Sequence, residues 1–416
     1  MSELLQKATL AKQATRQLSA ATAKQKNEAL LKVADQVKKD KELILEANKK
    51  DLAAARRRNL SDSIVDRILL TEERLMYMSD AVKNLIDLTD PVGQCLSEWS
   101  RPNGLKIKRV SVPIGVVGMI YEARPNVTLD AACLCLKTGN AILLRGSSSA
   151  SFSNLAIVKS IRSALENTEL SFQSVQLLED NSHDTVRQML RLNEYLDVLI
   201  PRGGSELIET VVQEATVPVI ETGAGNCHLY IDATANPEMA VSIAVNAKTQ
   251  RPSVCNAIET IVVQRDWANS HLDLLIESLQ EESVMIKGDR NALELSDLAI
   301  EPADAADWAE EYLDNMVALK IVEDVWEAIK HINLYSSKHS EAIISESAPS
   351  VEAFFQSVDA AALYHNASTR FTDGFEFGFG AEIGISTQKL HARGPMGLST
   401  LTSYKYLIEG GGQVKC

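Results

Sequence analysis

Residues 114–121 read IGVVGMIY and contain no charged side chain. Four further short apolar runs follow, and amphipathic segments separate them. The runs are Ala141–Leu144, Val175–Leu178, Leu196–Ile200 and Val217–Ile220, and the segments lie near 127–138, 150–166, 183–192 and 205–215. Strands that are apolar on both faces belong to parallel sheets covered by helices. The pattern predicts a doubly wound parallel sheet, which binds nucleotides at the carboxyl ends of its strands.

The chain before this stretch reads as helices. Thr22-x-x-Gln25 is a capping-box pattern at the start of one of them. We interpret the basic run Arg56–Arg58 as a solvated helix end rather than a phosphate site. Leu105–Val112 alternates between apolar and polar residues, which predicts an exposed antiparallel strand.

A second unit is predicted to begin near His228. Asn236 and Pro237 favour a helix start, and the helix should run to about Lys248. Strand-like runs follow it, alternating with helical stretches to about residue 364. These runs are Ala257–Gln264, Ala318–Val322, Ala342–Ile344 and Ala360–Leu363.

Composition excludes several classes of protein. The net charge of −14 argues against nucleic acid or an anionic membrane as a partner, so an anionic ligand needs a local cationic pocket. No apolar stretch approaches the ~18–20 residues that span a bilayer. The N-terminus lacks the apolar run of a signal peptide, so we expect a cytoplasmic protein. Six cysteines without a paired framework indicate reduced thiols.

The segment Asn246–Asn256 joins a helix to a strand and contains Cys255. Lys248 and Arg251 precede this cysteine, and no acid lies between positions 239 and 258. Because a cationic surrounding favours the thiolate, the pattern is typical of a nucleophile. A buried structural cysteine is an equally good interpretation of this segment alone.

The usual dinucleotide fingerprint G-x-G-x-x-G is missing after every predicted strand. Two loops offer small residues, a hydroxyl and a cation where a phosphate could rest: Arg145–Ser149 and Pro201–Ser205. Ordinary tight turns explain each loop about as well.

Several motifs together resemble the aldehyde dehydrogenases. The sequences RPNV (124–127), ETGAGN (221–226), the cysteine segment and EIG (382–384) occur in the order found in that superfamily. The run 328–343, AIKHINLYSSKHSEAI, together with residues 121–127, 247–256 and 380–384, resembles more narrowly its branch that reduces γ-glutamyl phosphate. The resemblance covers nearly the whole chain.

The resemblance implies that Cys255 attacks the acyl phosphate and forms a thioester, which a nicotinamide hydride reduces to glutamate 5-semialdehyde in proline biosynthesis. It implies that the Asn126 side chain and the Cys255 N–H stabilise the oxyanion. A helix cap is the other interpretation of Asn126. Arg124, Lys248 and Arg251 are the candidate cations for the phosphate and the α-carboxylate of the substrate.

Cofactor binding is also implied by the resemblance. An arginine with hydroxyls suits a 2′-phosphate, so NADPH is expected. The candidate residues are Arg145, Gly146, Ser147, Ser148, Gly203, Gly204, Ser205, Glu221, Thr222, Gly223 and Glu382. Glu221 sustains an alternative, because a glutamate at this place activates water in hydrolytic aldehyde dehydrogenases and would make a free acid.

The implied fold is aldehyde-dehydrogenase-like. We expect a cofactor domain at 1–228, with 364–388 returning to it and a strand arm near 103–113, a catalytic domain at 229–363 and an oligomerisation tail at 389–416. A homodimer or homotetramer is expected, as is a separate glutamate 5-kinase, since residues 1–100 are too few and too helical for a kinase domain. His331 and His339 lack a chelating spacing, so we predict packing or turn roles and no metal, with pocket lining as the alternative.

Overall fold

A computed structural model describes residues 2–415, except for the side chains of Ser63 and Ser205. The chain forms two compact units. Unit 1 contains the chain up to Thr222, the segment Gly378–Gly384 and the chain from Pro395 on. Unit 2 contains Gly223–Phe377 and Ile385–Gly394.

The α-helices, in chain order, are α1 (Glu3–Ala20), α2 (Ala23–Lys39), α3 (Lys41–Arg57), α4 (Asp62–Ile68), α5 (Glu72–Asp87), α6 (Pro125–Lys137), α7 (Ser151–Leu165), α8 (His183–Met189), α9 (Ser205–Glu214), α10 (Pro237–Thr249), α11 (Arg265–Glu281), α12 (Arg290–Leu295), α13 (Val325–Tyr335) and α14 (Ala348–Ser357). None of the helices in the described part of the chain is long and apolar enough to cross a membrane.

The strands are β1 (Cys95–Ser100), β2 (Lys106–Pro113), β3 (Val116–Tyr121), β4 (Ala141–Gly146), β5 (Val175–Leu177), β6 (Val198–Arg202), β7 (Cys227–Ile231), β8 (Ile258–Gln264), β9 (Met285–Gly288), β10 (Glu301–Pro302), β11 (Met316–Val322), β12 (Ser340–Ile344), β13 (Ala362–His365), β14 (Ile385–Ser386), β15 (Gly394–Pro395) and β16 (Thr402–Glu409).

Unit 1 is built on a four-stranded parallel sheet in the order β5-β4-β3-β6. The predicted parallel sheet is confirmed, and so is the capping box at Thr22, whose side chain and that of Gln25 bond each other's backbone. The fifth predicted strand, Val217–Ile220, is wrong. It forms a single bridge from Val219 to Leu199, because Pro218 has no N–H to donate to a ladder.

A separate antiparallel sheet in unit 1 has the order β1-β2-β16. It confirms the antiparallel strand predicted near 105–112, but this strand, β2, is central in the sheet and largely half-buried or buried rather than exposed. Its outer strands are open to solvent over most of their length. Aromatic rings cover part of them: Tyr406 packs edge-to-face against both Trp99 and Tyr404.

Unit 2 is built on a seven-stranded sheet in the order β10-β9-β11-β8-β7-β12-β13, with every neighbouring pair parallel. Three adjacent strands, β8, β7 and β12, are buried at every residue. The sequence did not single out β7 or β9, which are short. Strand β7 contains Cys227, His228 and Tyr230, so its sequence lacks the continuous apolar run that predicts a buried strand.

The boundary of unit 2 differs from the prediction that residues 364–388 return to the first domain. Strand β13 pairs with β12, and the side chain of Asn256 donates to the carbonyls of Arg370 and Thr372. These bonds keep the chain in unit 2 as far as Phe377. Only Gly378–Gly384 of the predicted segment belongs to unit 1.

Candidate active site

Cys255 lies on the loop between α10 and β8, residues 250–257, which we call the thiol loop. Helix α10 starts as predicted, because the Asn236 side chain accepts from the Met239 N–H at 3.0 Å. A tight turn encloses Cys255, with the Ala257 N–H donating to the Val254 carbonyl at 3.1 Å. Cys255 as a residue is half-buried.

The backbone of Cys255 is fixed by the segment that leads into β7. The buried thiol of Cys227 donates to the Cys255 carbonyl at 3.2 Å. A Cβ on Gly225 would lie 1.6 Å from the same carbonyl oxygen, so only glycine fits there. The Gly225 N–H in turn donates to the Glu311 carboxylate at 2.6 Å. These contacts explain Gly225 as packing against the thiol loop.

Lys248 does not offer its charge to a ligand, which contradicts the prediction that it contacts the substrate. Its side chain is fully buried, and its ammonium bonds the Glu259 carboxylate at 2.6 Å and the Ile258 carbonyl at 3.0 Å. Burial lowers the pKa of Lys248 and raises the pKa of Glu259 to about 8, while each charge opposes the shift of the other. The pair therefore joins α10 to β8 as a structural contact.

A second cation reaches the thiol loop from residues 366–372, which we call the return segment. The Arg370 guanidinium donates through Nε and Nη2 to the Gln250 side-chain oxygen, at 2.9 and 2.8 Å. Asn256 donates to the Arg370 carbonyl at 3.3 Å, and the Thr369 hydroxyl donates to the Asn256 carbonyl at 2.7 Å. Arg251, predicted to contact the substrate, is exposed on the same loop.

Arg370 could not be predicted from the sequence near Cys255, because the chain doubles back to reach the thiol loop. Strand β13 ends at His365, at the carboxyl ends of the parallel strands, whereas β8 starts at their amino ends. Asn366 then turns with φ 53°, a conformation that asparagine tolerates. The return segment reaches the amino edge of the sheet, where the hydroxyl of Thr372 bonds that of Ser340 at 2.6 Å. The one local signal was an asparagine followed by small polar residues and an arginine.

In unit 1, Asn126 lies in the first turn of α6. The helix begins at Pro125, with Arg124 at its N-cap position, so the interpretation of Asn126 as the cap is wrong. The Asn126 amide donates to the Asp130 carboxylate at 3.1 Å. Burial raises the pKa of Asp130 to about 6, and the bond from Asn126 partly offsets that shift. The amide of Asn126 is therefore oriented by the carboxyl group of Asp130.

The end of β4 and the loop after it carry four of the predicted cofactor residues, Arg145 and Gly146 in the strand and Ser147 and Ser148 in the loop. Arg145 is nearly buried, and its Nη2 donates to the Asn181 carbonyl at 2.7 Å. Its Nε is buried without a hydrogen-bond partner in the part of the chain that the structure describes. Gly146 has a packing role, because a Cβ there would lie 2.2 Å from the Asn154 side chain.

The serines of the same loop face one another and the backbone. Ser147 accepts from the Ala123 N–H at 3.2 Å, and its hydroxyl lies 2.5 Å from that of Ser149. Ser148 is exposed, with a nitrogen of Arg58 at 3.5 Å from its hydroxyl. Three hydroxyls and two guanidinium groups thus surround the end of β4.

The loop after β6 presents less to a ligand than predicted. The Gly204 N–H, expected to meet a phosphate, donates to the Glu122 carboxylate at 3.0 Å. A Cβ on Gly203 would lie 2.5 Å from the same carboxylate and 2.8 Å from Leu207. The side chain of Ser205, also a predicted cofactor contact, lies outside the described residues.

The remaining candidates lie where the chain passes from one unit to the other. Glu221 is half-buried, and Thr222 is buried with its hydroxyl donating to the Pro201 carbonyl at 2.7 Å. Gly223 begins unit 2, where a Cβ on it would lie 2.4 Å from the Thr387 side chain. Glu382 belongs to the short segment of unit 1, whereas Glu311, which the sequence did not single out, lies beside the thiol loop in unit 2.

The two histidines of the 328–343 run are packing residues, as predicted. His331 is buried against the rings of Trp308 and Tyr335, and burial lowers its pKa to about 3. His339 is fully buried, with Nδ1 at 2.9 Å from the Ser340 hydroxyl.

Comparison with protein families matches residues 2–297 to the aldehyde dehydrogenase family. Two curated relatives match over the full length of both chains. They are the γ-glutamyl phosphate reductases of Bacillus cereus, 59% identical over 415 residues, and of Halalkalibacterium halodurans, 58% identical over 416 residues.

Solved structures give the same result. The γ-glutamyl phosphate reductase of Thermotoga maritima has a TM-score of 0.96 and 48% identity, with both chains fully covered. The γ-glutamyl phosphate reductase of Saccharomyces cerevisiae has a TM-score of 0.55 and 29% identity, covering 100% of this chain and 99% of that one. An acetylating aldehyde dehydrogenase of Geobacillus thermoglucosidasius, 15% identical with a TM-score of 0.73, shares the fold.

Proposed function

This chain belongs to the aldehyde dehydrogenase family, and we propose that it reduces γ-glutamyl phosphate to glutamate 5-semialdehyde and phosphate in proline biosynthesis. The curated relatives that match it end to end at 58–59% identity carry the name of that activity. The geometric observation that carries the chemistry is the half-buried Cys255, on a loop whose carbonyl is held by Cys227 and packed against Gly225.

We propose that the Cys255 thiolate attacks the γ-carbonyl carbon of the acyl phosphate. A carbon–sulfur bond forms, the carbon–oxygen bond to phosphate breaks, and phosphate leaves with the electron pair. Cys255 then carries a γ-glutamyl thioester. The side-chain amide of Asn126 and the Cys255 N–H are the proposed donors to the transient oxyanion. A held backbone favours this role, because such donors must be fixed before the charge develops.

The family uses a nicotinamide cofactor, and we propose NADPH. Bound nicotinamide supplies the hydride that reduces the thioester. The end of β4 fits a phosphate-bearing ribose, because the buried Nε of Arg145 has no partner among the described residues and Ser148 is exposed. Gly204 fits a phosphate less well, since its N–H already donates to Glu122. We propose that Glu221, Thr222, Gly223 and Glu382 also contact the cofactor.

We further propose a cytoplasmic homo-oligomer that receives its labile substrate from a separate glutamate 5-kinase. The exposed outer strands of the β1-β2-β16 sheet support self-association, since a second subunit would cover strand edges that are otherwise open.

The test is phosphate dependence in the reverse direction. The protein is given glutamate semialdehyde and NADP⁺ with and without inorganic phosphate, and cofactor reduction is followed by absorbance. We expect reduction only with phosphate or arsenate. Equal rates without either anion would contradict the proposal and would indicate that Glu221 activates water, which is the hydrolytic alternative.

A further inference from the structure

Arg370 lies against the thiol loop without a carboxylate in direct contact with its guanidinium. Its guanidinium bonds the neutral side-chain amide of Gln250 through both Nε and Nη2. Asp373 is nearby, but its carboxylate accepts from the Phe375 N–H at 2.9 Å. Arg251 adds a second positive charge on the same loop. A half-buried cation held in this way is expensive unless an anion arrives.

The environment of Arg370 agrees with this description of its charge. Burial lowers the pKa of its guanidinium, the negative charge of the Cys255 thiolate opposes that shift, Arg251 adds to it, and the Asp373 carboxylate opposes it in turn. Arg370 and the reactive sulfur are therefore electrostatic neighbours. Arginine stays protonated even so, because its ordinary pKa lies far above neutrality.

The position of Arg370 is set by the thiol loop itself. Asn256, the residue after Cys255, donates to the carbonyls of Arg370 and Thr372 and accepts from the Thr369 hydroxyl. Gln250 takes the Nε edge of the guanidinium, at one end of the loop. The loop that carries the nucleophile thus also holds the guanidinium.

We propose that Arg370 is a substrate-binding residue that engages an anionic oxygen pair of the substrate, with Arg251 as the second cation. The ligand chemistry is a carboxylate or a phosphoryl group, and γ-glutamyl phosphate carries one of each. This inference rests on the proposed function, and it assigns to Arg370 the role that was predicted for Lys248.

The reverse reaction separates the two anions, because phosphate and glutamate semialdehyde enter as different molecules. The variants are Arg370→Gln and Arg370→Lys, and the control is Arg290→Gln, which removes an exposed guanidinium elsewhere in unit 2. Loss of a charged hydrogen bond predicts a rise in KM of about 10- to 100-fold. A rise confined to phosphate assigns Arg370 to the phosphoryl group, and one confined to the semialdehyde assigns it to the carboxylate. Unchanged KM values for both would overturn the proposal.

Alkylation of Cys255 tests the charge without any turnover. Iodoacetate is anionic and iodoacetamide is neutral, so their rate ratio at Cys255 reports the local charge; the modified peptide is followed by mass spectrometry because Cys95 is also exposed. We expect the ratio to fall several-fold in Arg370→Gln, to be retained in Arg370→Lys and to stay unchanged in Arg290→Gln. A ratio unaltered in Arg370→Gln would overturn the proposal. If the wild-type protein lacks phosphate-dependent activity, the proposed function fails while this ratio still decides the place of Arg370.

Discussion

The two cations on either side of the thiol loop, one at the end of α10 and one on the return segment, are held in opposite ways. Lys248, at the end of α10, is fully buried against the Glu259 carboxylate at 2.6 Å. Arg370, on the return segment, is half-exposed and bonds the neutral amide of Gln250. A carboxylate at short range neutralises a positive charge by forming an ion pair. A neutral amide only orients a guanidinium, whose charge can then attract an anionic ligand. A cation that is close to the nucleophile in sequence is therefore not necessarily the one that can bind an anionic substrate beside it.

The largest loss of activity is expected on substitution of Cys255, which lies between Lys248 and Arg370 in the sequence. Cys255→Ser should lower kcat by on the order of 10³-fold or more, because an alcohol is a far weaker nucleophile than a thiolate near neutral pH. Binding of the cofactor should be largely unchanged. Steady-state rates and cofactor titration by fluorescence provide the two measurements. Cys95→Ser, which alters an exposed thiol of β1, is the matched control, and full activity in Cys255→Ser would remove the covalent mechanism.

The next effect concerns the buried pair. Lys248→Met leaves Glu259 buried without its partner and should destabilise the protein by about 3–5 kcal/mol, while Lys248→Met with Glu259→Leu should recover most of that loss. Urea unfolding measures both variants. The KM values for phosphate and for semialdehyde should stay near those of the wild type. A variant with normal stability and a KM raised tenfold would restore Lys248 as a substrate contact and would break the comparison.

The architecture was readable from the sequence because burial on both faces leaves an unmistakable apolar run. Strands β3, β4 and β8 are of this kind, and helix α10 carries its start signal in Asn236 and Pro237. Val217–Ile220 has the same apolar character but includes Pro218, which stops the ladder. Hydrophobicity alone therefore does not tell a strand from an extended segment that makes one bridge.

The candidate site was only half readable, since its contacts come from distant parts of the chain. The absence of acids between 239 and 258 made Lys248 appear free, yet the next residue, Glu259, points from β8 to its ammonium. Arg370 is brought back by the turn at Asn366, and Glu311 reaches Gly225 across a long interval of sequence. Such contacts between residues distant in the sequence depend on the tertiary structure and cannot be predicted from a local sequence pattern.

Asn126 and Asp130 in unit 1 form a pair of the opposite charge type to Arg370 and Gln250. In both pairs a neutral amide bonds an ionisable group, which is a carboxylate in unit 1 and a guanidinium in unit 2. Burial raises the pKa of Asp130 from 3.8 to about 6, so the fold favours the protonated acid. The resulting stabilisation is complete below pH about 4 and is lost as the pH rises through about 6. It amounts to at most about 3 kcal/mol.

Asp130→Asn should therefore remove this part of the pH dependence. The difference in unfolding free energy between variant and wild type should shift in favour of the variant as the pH rises from 4 to 7. Urea unfolding at several pH values measures it, with the exposed Asp184→Asn as control. A constant difference across this range would show that Asp130 titrates normally.

The smallest effect is expected from a substitution that gives Arg370 a carboxylate partner, as Lys248 already has in Glu259. Gln250→Glu places a carboxylate against Nε and Nη2 of Arg370 and should neutralise it, as Glu259 neutralises Lys248. Because the pair is half-exposed, we expect only about a 2- to 5-fold rise in the KM of the anion that Arg370 binds. Gln250→Met removes the amide without adding charge and separates the two effects. A rise in Gln250→Glu alone means that Arg370 acts through its charge. Equal rises in both variants mean that the amide sets the direction of the guanidinium, and the contrast with Lys248 would then be one of orientation rather than of neutralisation.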